Sequence, residues 1–206
     1  MIQLLRDIPR KSYIACSGGV DSMAALSFVL NNPNNDVEVL FFNHNTPSSN
    51  EAESFLRRFC EERTLTLHTG RLEAVRPPRT SQEEFWRDQR YKFFDGYVDK
   101  PIITAHHLDD VVEFYVFSSL HGKAKITPYR RGNVIRPFLL TKKEVLVNWC
   151  DRKNTPWIED TSNTDNTYAR NRIRNVIMPE IKKINPGIQK VVAKKVKSAY
   201  NKSNST

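Results

Sequence analysis

The sequence predicts an α/β fold: a doubly wound, mainly parallel sheet with a helical C-terminal appendage. Three observations predict it. Short apolar runs at 13–15, 37–43, 65–68 and 101–105 alternate with helix-like stretches at 21–30, 50–63, 82–98 and 108–120, as in parallel strands joined by crossover helices. A Ser-Gly-Gly turn lies where the first run becomes the first helix. Beyond Pro137 the pattern turns helical, at 141–153, 170–183 and 187–200, with a turn-rich link at 154–166. The expected organisation is an α/β domain at 1–140, a helical basic appendage of the same unit at 141–200, and a frayed tail at 201–206.

The first run, Tyr13-Ile14-Ala15, stops at Cys16-Ser17-Gly18-Gly19-Val20-Asp21-Ser22 and restarts as a helix. Such a strand, turn and helix gather backbone N–H groups, hydroxyls and the positive end of a helix dipole around one point, which suits pyrophosphate. Gly18 and Gly19 allow close approach of backbone to a phosphate oxygen. Ser17 and Ser22 can donate hydroxyl hydrogen bonds, and Asp21 makes sense beside phosphates if a Mg²⁺ ion bridges them. The fourth run gives way to a helix at Thr104-Ala105-His106-His107-Leu108-Asp109-Asp110-Val111-Val112-Glu113, with five ionisable side chains in eight residues. Asp110 and Glu113, three apart, share a helix face and could hold one cation between them. His106 and His107 could be nucleotide donors, metal ligands or structural groups, and Asp109 and Asp110 also suit a helix N-terminus on local grounds. Ligands of such sheets bind outside the carboxyl ends of the strands, so the loops after residues 15, 42, 67 and 105 should converge.

At 206 residues the chain can bury one core, or one core with a small appendage. It contains neither an apolar run near membrane-spanning length nor a signal-peptide core, and a soluble intracellular protein is expected. Cys16, Cys60 and Cys150 are too scattered for a disulfide framework or a Cys-x-x-Cys site and read as reduced structural thiols. The net charge of +9 is localised: residues 1–165 hold 22 Lys/Arg and 22 Asp/Glu, whereas 166–206 hold 10 Lys/Arg and one acid, Glu180. A basic end beside a nucleotide site points to a polyanionic partner. Arg170, Arg172 and Arg174 are spaced around a short helical stretch as a candidate phosphate grip.

The Ser-Gly-Gly-Val-Asp-Ser loop resembles the signature of the PP-loop ATP pyrophosphatases, whose fold is adenine nucleotide alpha hydrolase-like and Rossmann-like. More motifs follow in order: Glu84-x-x-Arg87-x-x-Arg90-Tyr91, Ala105-His106-His107-Leu108-Asp109-Asp110-x-x-Glu113, Ile135-Arg136-Pro137, and Trp157-Ile158-Glu159-Asp160-x-Ser162-Asn163 with Tyr168-x-Arg170-Asn171-x-x-Arg174. Together they resemble the tRNA(Ile)-lysidine synthetase family. The resemblance implies ATP and Mg²⁺ as cofactors, and lysine and an isoleucine tRNA with a CAU anticodon as partners. The implied reaction adenylates the wobble cytidine, then joins lysine to its C2. It places ATP at Ser17, Gly18, Gly19, Val20, Asp21, Ser22 and His106, with Asp21 the contact to Mg-ATP. It places the lysine ammonium at Asp110 and Glu113, and catalytic roles at Asp21, Asp110, Glu113, Arg87 and Arg90. Arg87 or Arg90 would face phosphate or the activated base, Trp157 would stack on a base or anchor the core, and Asp160 and Asn163 would build the turn before Tyr168.

The chain departs from the family pattern at Val111 and Phe114, where Gln and Thr are usual, and at 121–127, where a glycine-rich segment is usual. Most members continue into further C-terminal domains; a core this short would suit a phage-encoded enzyme. The alternatives are another PP-loop tRNA-modifying or amide-forming enzyme, and a non-catalytic tRNA-binding protein of the same fold. The scattered cysteines count against a tRNA thiolase, and the intact acids against loss of catalysis.

Overall fold

A computed structural model describes residues 1–159 and 169–203. Its centre is a six-stranded sheet of β1 (Lys11–Ala15), β2 (Asp36–Asn43), β3 (Leu67–Arg71), β4 (Ile102–Ile103), β5 (Arg130–Arg131) and β6 (Val134–Ile135), ordered β3-β2-β1-β4-β6-β5. Neighbours run parallel except β5 and β6, which form an antiparallel hairpin at one edge. Helices α1 (Val20–Leu30), α2 (Pro47–Glu61), α3 (Gln82–Phe94) and α4 (Leu108–Leu120) alternate with the strands. Then follow α5 (Lys143–Lys153), α6 (Ala169–Arg172), a π-helical segment (Ile173–Ile177), α7 (Met178–Ile184) and α8 (Ile188–Ser203).

Strands β1, β2 and β4 bury side chains on both faces because both faces of the sheet are covered. Successive side chains point to opposite faces. Ile14, Val39, Phe41, Ile103 and Ile135 enter a core shared with α1, α2 and α5, through Met23, Leu26, Leu56, Phe59 and Leu146. Their neighbours Tyr13, Leu40, Ile102 and Val134 enter the opposite core with Phe94 of α3. A third core joins α4 to the C-terminal helices through Val111, Val112, Ile173, Met178, Val192 and Val196. Val111 is fully buried there, so an apolar residue at this position serves packing. The helices after residue 140 therefore share cores with the α/β part. On α5, Trp149 Nε1 donates to Ser27 Oγ of α1 at 3.2 Å, and Thr155 Oγ1 donates to the same oxygen at 2.8 Å.

The chain leaves β1 for β2 on one side and returns to β4 on the other, so the winding reverses between β1 and β4. That reversal opens a crevice at their carboxyl ends, onto which the loop to α1 and the start of α4 project.

Several elements differ from expectation for local reasons. Thr46 caps α2, its Oγ1 accepting from Ser49 N at 3.2 Å with Pro47 following, which moves the helix start before residue 50. β3 lies at Leu67–Arg71, later than 65–68, and is only half-buried, so alternation there is weak. Gly70 within it is required by packing: a Cβ would stand 2.5 Å from Cδ2 of Phe93. The hairpin β5–β6 is hidden in the sequence because Arg130 and Arg131 are exposed, and only Val134 and Ile135 are buried against β4. The helix expected at 170–183 is broken by the π-helical segment.

Candidate active site

A cleft of about 630 Å³ opens at the carboxyl ends of β1, β2 and β4. Its floor is the loop from Cys16 to Ser22. Gly18 takes φ +84°, which L side chains rarely adopt, and Ile158 closes on it, donating its backbone N–H to Gly18 O at 3.0 Å. Ser22 is 7% exposed and holds the loop's shape: its Oγ donates to Gly19 O at 2.9 Å and accepts from Ser17 N at 3.1 Å. The Ser17 and Ser22 hydroxyls lie 3.2 Å apart. No side chain caps the first turn of α1, so its N–H groups and dipole are offered to an anion from the loop side.

Asp21 projects from that first turn. Its Oδ2 lies 3.4 Å from His107 Nε2 and 3.7 Å from Lys143 Nζ, while its Oδ1 is buried with no hydrogen-bond partner among the described residues. His107, 1% exposed, is the N-cap of α4 in a capping box: its Nδ1 accepts from Asp110 N at 3.3 Å, and its own N–H donates to Asp110 Oδ2 at 3.1 Å. Since Nδ1 is an acceptor, the ring proton sits on Nε2 and faces Asp21. Burial pushes the His107 pKa down, but Asp110, Asp21 and Asp109 outweigh it and raise the value above the ordinary one. His107 thus ties Asp21 to the start of α4. Asp109 is tied down too: Oδ2 accepts from Lys143 N at 2.8 Å and Oδ1 from Gln189 Nε2 at 2.8 Å, linking α4, α5 and α8.

One turn along α4, Glu113 meets Arg174 in a bidentate pair. Arg174 Nε lies 2.8 Å from Oε1 and Nη2 2.9 Å from Oε2, and Nη2 reaches Asp110 Oδ1 at 3.3 Å. The hydrogen bond to Glu113 raises the Arg174 pKa further, so the guanidinium is permanently charged. Arg174 extends from the π-helical segment, a distortion often found where a helix presents a functional group.

The structure therefore brings together Ser17, Gly19, Val20, Asp21, Ser22, His106, Asp110, Arg90 and Arg174 around one cleft, with Gly18 shaping its loop and Glu113 beneath Arg174. His106 Nδ1 lies 2.9 Å from Thr104 Oγ1. Arg87 is exposed on α3 beside Asp88, at 3.3 Å, and is absent from the cleft wall. Arg172 is exposed, whereas Arg174 turns inward to the carboxylates, so these two do not form one outward grip. Asp160, Ser162, Asn163, Tyr168 and the side chain of Arg170 lie outside the described residues. Arg136 and Tyr91 are scaffolding: Arg136, 5% exposed, donates from Nη2 to Tyr91 Oη at 2.8 Å and from Nη1 to Pro128 O at 2.8 Å.

Two groups at the cleft belong to no motif, Lys143 and His44 on the loop after β2, while His107 acts as a clamp behind Asp21. The Asp-rich surroundings of His107 were visible in sequence, but nothing local marks Lys143 or His44, which reach the cleft only through the tertiary fold.

Comparisons with known proteins identify the family and the fold. A family model described as a PP-loop domain matches residues 3–181. A protein named tRNA(Ile)-lysidine synthase from Enterococcus faecalis is 33% identical over 189 residues, covering 84% of this chain and 41% of that protein. One of the same name from Lactiplantibacillus plantarum is 32% identical over 196 residues, covering 87% and 44%. The chain thus spans less than half the length of these curated relatives, which are bacterial proteins and lend the phage expectation no support. Among solved structures, the U34-tRNA thiolase NcsA from Methanococcus maripaludis superposes with a TM-score of 0.73 at 14% identity, over 96% of this chain and 72% of that one. The NH3-dependent NAD synthetase from Campylobacter jejuni gives 0.54 at 11% identity, over 94% and 86%. These two likenesses concern the fold. With the strand-turn-helix loop at the winding reversal, and a family match across most of its length, the chain belongs to the PP-loop family.

Proposed function

We propose that this protein binds ATP in the cleft and ligates lysine to C2 of the wobble cytidine of an isoleucine tRNA with a CAU anticodon. The observation that carries the reading is the contact of Asp21 with His107, which caps the helix carrying Asp110, itself paired with Glu113 on the Arg174 cation. That links a nucleotide site to a cation site within one cleft. The chain's 33% identity to a protein named tRNA(Ile)-lysidine synthase supports the choice of substrate.

In this reading the cytosine C2 oxygen attacks the α-phosphate of ATP, the bond to the β-phosphate breaks and pyrophosphate leaves. The backbone of the Ser17–Ser22 loop and the start of α1 hold the departing pyrophosphate, so the step rests on positioning and charge neutralisation. The ε-amine of lysine, having lost a proton, then attacks C2, and AMP leaves. An amine of ordinary pKa about 10.4 arrives protonated. Asp110 and Glu113 would bind it as ammonium, with Arg174 giving way or shifting to phosphate, and a carboxylate accepts its proton. Arg90, on the cleft wall, would face phosphate or the activated base.

Mg²⁺ fits Asp21. Its Oδ1 is a buried oxygen, without a hydrogen-bond partner among the described residues, at the mouth of the Ser17–Ser22 loop. Among the described residues no cluster of three His, Cys, Asp or Glu forms a protein cage, so the remaining ligands would be phosphate and water oxygens, as Mg²⁺ prefers. Such an ion would neutralise phosphate charge.

Thiol chemistry is disfavoured. Cys16, Cys60 and Cys150 are all buried, and burial raises the Cys60 and Cys150 pKa values to about 11. The test is incorporation of radiolabelled lysine into an isoleucine tRNA transcript with a CAU anticodon, with a methionine tRNA of the same anticodon as control. Incorporation confined to the isoleucine transcript is expected. AMP release without incorporation would sink the choice of nucleophile, and absence of both would sink the catalytic reading.

A further inference from the structure

On the cleft wall that carries Arg90, His44 has no part in the reaction proposed above. His44 follows β2, on a turn built by the fully buried Asn43, whose Oδ1 accepts from Asn45 N at 2.7 Å and whose Nδ2 donates to Glu53 Oε2 at 2.6 Å. The turn places Asn45 at φ +60° and swings the His44 ring into the cleft. There the imidazole lies against the Trp86 ring of α3, with centroids 5.0 Å apart and planes 31° apart, and Phe42 meets it edge-on at 5.2 Å. Arg90, one turn further along α3, lines the same wall. Nδ1 of His44 is buried and meets no hydrogen-bond partner among the described residues. Burial, aided by the Arg90 charge, lowers the His44 pKa to about 4, so the ring is neutral at physiological pH. A proton on Nδ1 would be a buried donor with nothing to accept it, and the single proton of the neutral ring therefore belongs on Nε2.

We propose that His44, braced on Trp86, reads a nucleobase: its Nε2–H donates one hydrogen bond to a ring nitrogen or carbonyl oxygen of a flat heterocycle laid into the cleft beside Arg90. The ligand class follows from the wall. Neighbouring aromatic faces favour a planar partner, the only proton on the imidazole demands an acceptor, and the adjacent guanidinium favours a base that carries a phosphate. Adenine of ATP and cytosine of the RNA share this chemistry. The inference rests on the reading that the cleft holds a nucleotide, but not on lysine being the nucleophile.

The test compares His44→Phe, which keeps a ring on Trp86 and removes the donor, with His44→Gln, whose amide N–H can stand in for Nε2–H. Dissociation constants are measured for ATP, for inorganic tripolyphosphate and for the tRNA transcript. The Phe variant is expected to bind one of the two base-bearing ligands about five- to tenfold more weakly, the worth of one hydrogen bond, and the Gln variant to recover part of that loss. Tripolyphosphate affinity and melting temperature should be unchanged. Weakening confined to ATP assigns the wall to adenine, and weakening confined to tRNA assigns it to the RNA base. If the Phe variant binds both within twofold of wild type, or if wild type binds neither, the proposal is overturned. Wild type that binds both yet makes no lysidine would sink the choice of reaction alone.

Discussion

Arg174→Ala tests the link between the C-terminal helices and the acids of α4. The guanidinium makes two charge-assisted hydrogen bonds to Glu113, at 2.8 and 2.9 Å, and reaches Asp110 at 3.3 Å. The Glu113 side chain is 7% exposed and that of Arg174 29%. Removing one member of a buried ion pair costs about 3–5 kcal/mol, because the remaining charge keeps its desolvation penalty. Partial exposure of Arg174 places the cost near the lower end, about 3 kcal/mol. For a chain of this size that is a fall in melting temperature of about 6–12 °C, measurable by calorimetry. Arg174→Lys, which keeps the charge but cannot bind both oxygens, should lose about half as much. Arg172→Ala, at an exposed site, should stay within about 0.5 kcal/mol. A double-mutant cycle with Glu113→Gln checks that the residues act as a pair, with about 1.5 kcal/mol of coupling expected. A melting temperature within about 2 °C of wild type for Arg174→Ala, or additivity in the cycle within about 0.5 kcal/mol, would refute the reasoning.

Other expectations follow from the same geometry. Asp21→Asn keeps an oxygen opposite His107 but loses the charge, and should slow tRNA-dependent pyrophosphate release by about 100-fold or more with the fold intact; a rate within tenfold of wild type would remove Asp21 from the reaction. Gly70→Ala drives a Cβ to 2.5 Å from the Phe93 ring, itself packed against Phe42 and Tyr97, and should cost about 1–3 kcal/mol in urea unfolding, largely recovered in Gly70→Ala/Phe93→Leu; an unchanged midpoint would contradict that packing. The Glu38 pKa is lowered first by its hydrogen bond from Lys100 and next by His68, so its contribution to stability is present above the ordinary carboxylate pKa and lost as pH falls through the depressed value. Urea midpoints of wild type should therefore fall more steeply below pH 4.5 than those of Glu38→Gln, and parallel curves would exclude the effect.

The sequence by itself determined the doubly wound sheet and the place of its ligand loop. The run 37–43, apolar except for Glu38 and Asn43, reads as a strand covered on both faces, and the Ser17-Gly18-Gly19 turn between a strand and a helix is local chemistry. It also marked α4 at Leu108–Leu120, whose helical start is declared by its own acids. It marked β3 but missed its bounds, because a polar edge strand leaves little alternation, and it did not show the β5–β6 hairpin, whose exposed arginines mask two buried residues. Tertiary structure alone decided what each charged group faces. Arg172 and Arg174 are two residues apart and look alike as sequence, but a helix turns about 100° per residue, so one meets solvent and the other closes on Glu113. Arg87 and Arg90 differ in the same way on α3, one at the surface and one on the cleft wall. His44 becomes part of the cleft only because the fold brings the loop after β2, far from α3 in the chain, against that helix and sets its ring beside Trp86. Periodicity records which face a side chain takes relative to its own element, and the partner across that face is fixed only when the elements pack.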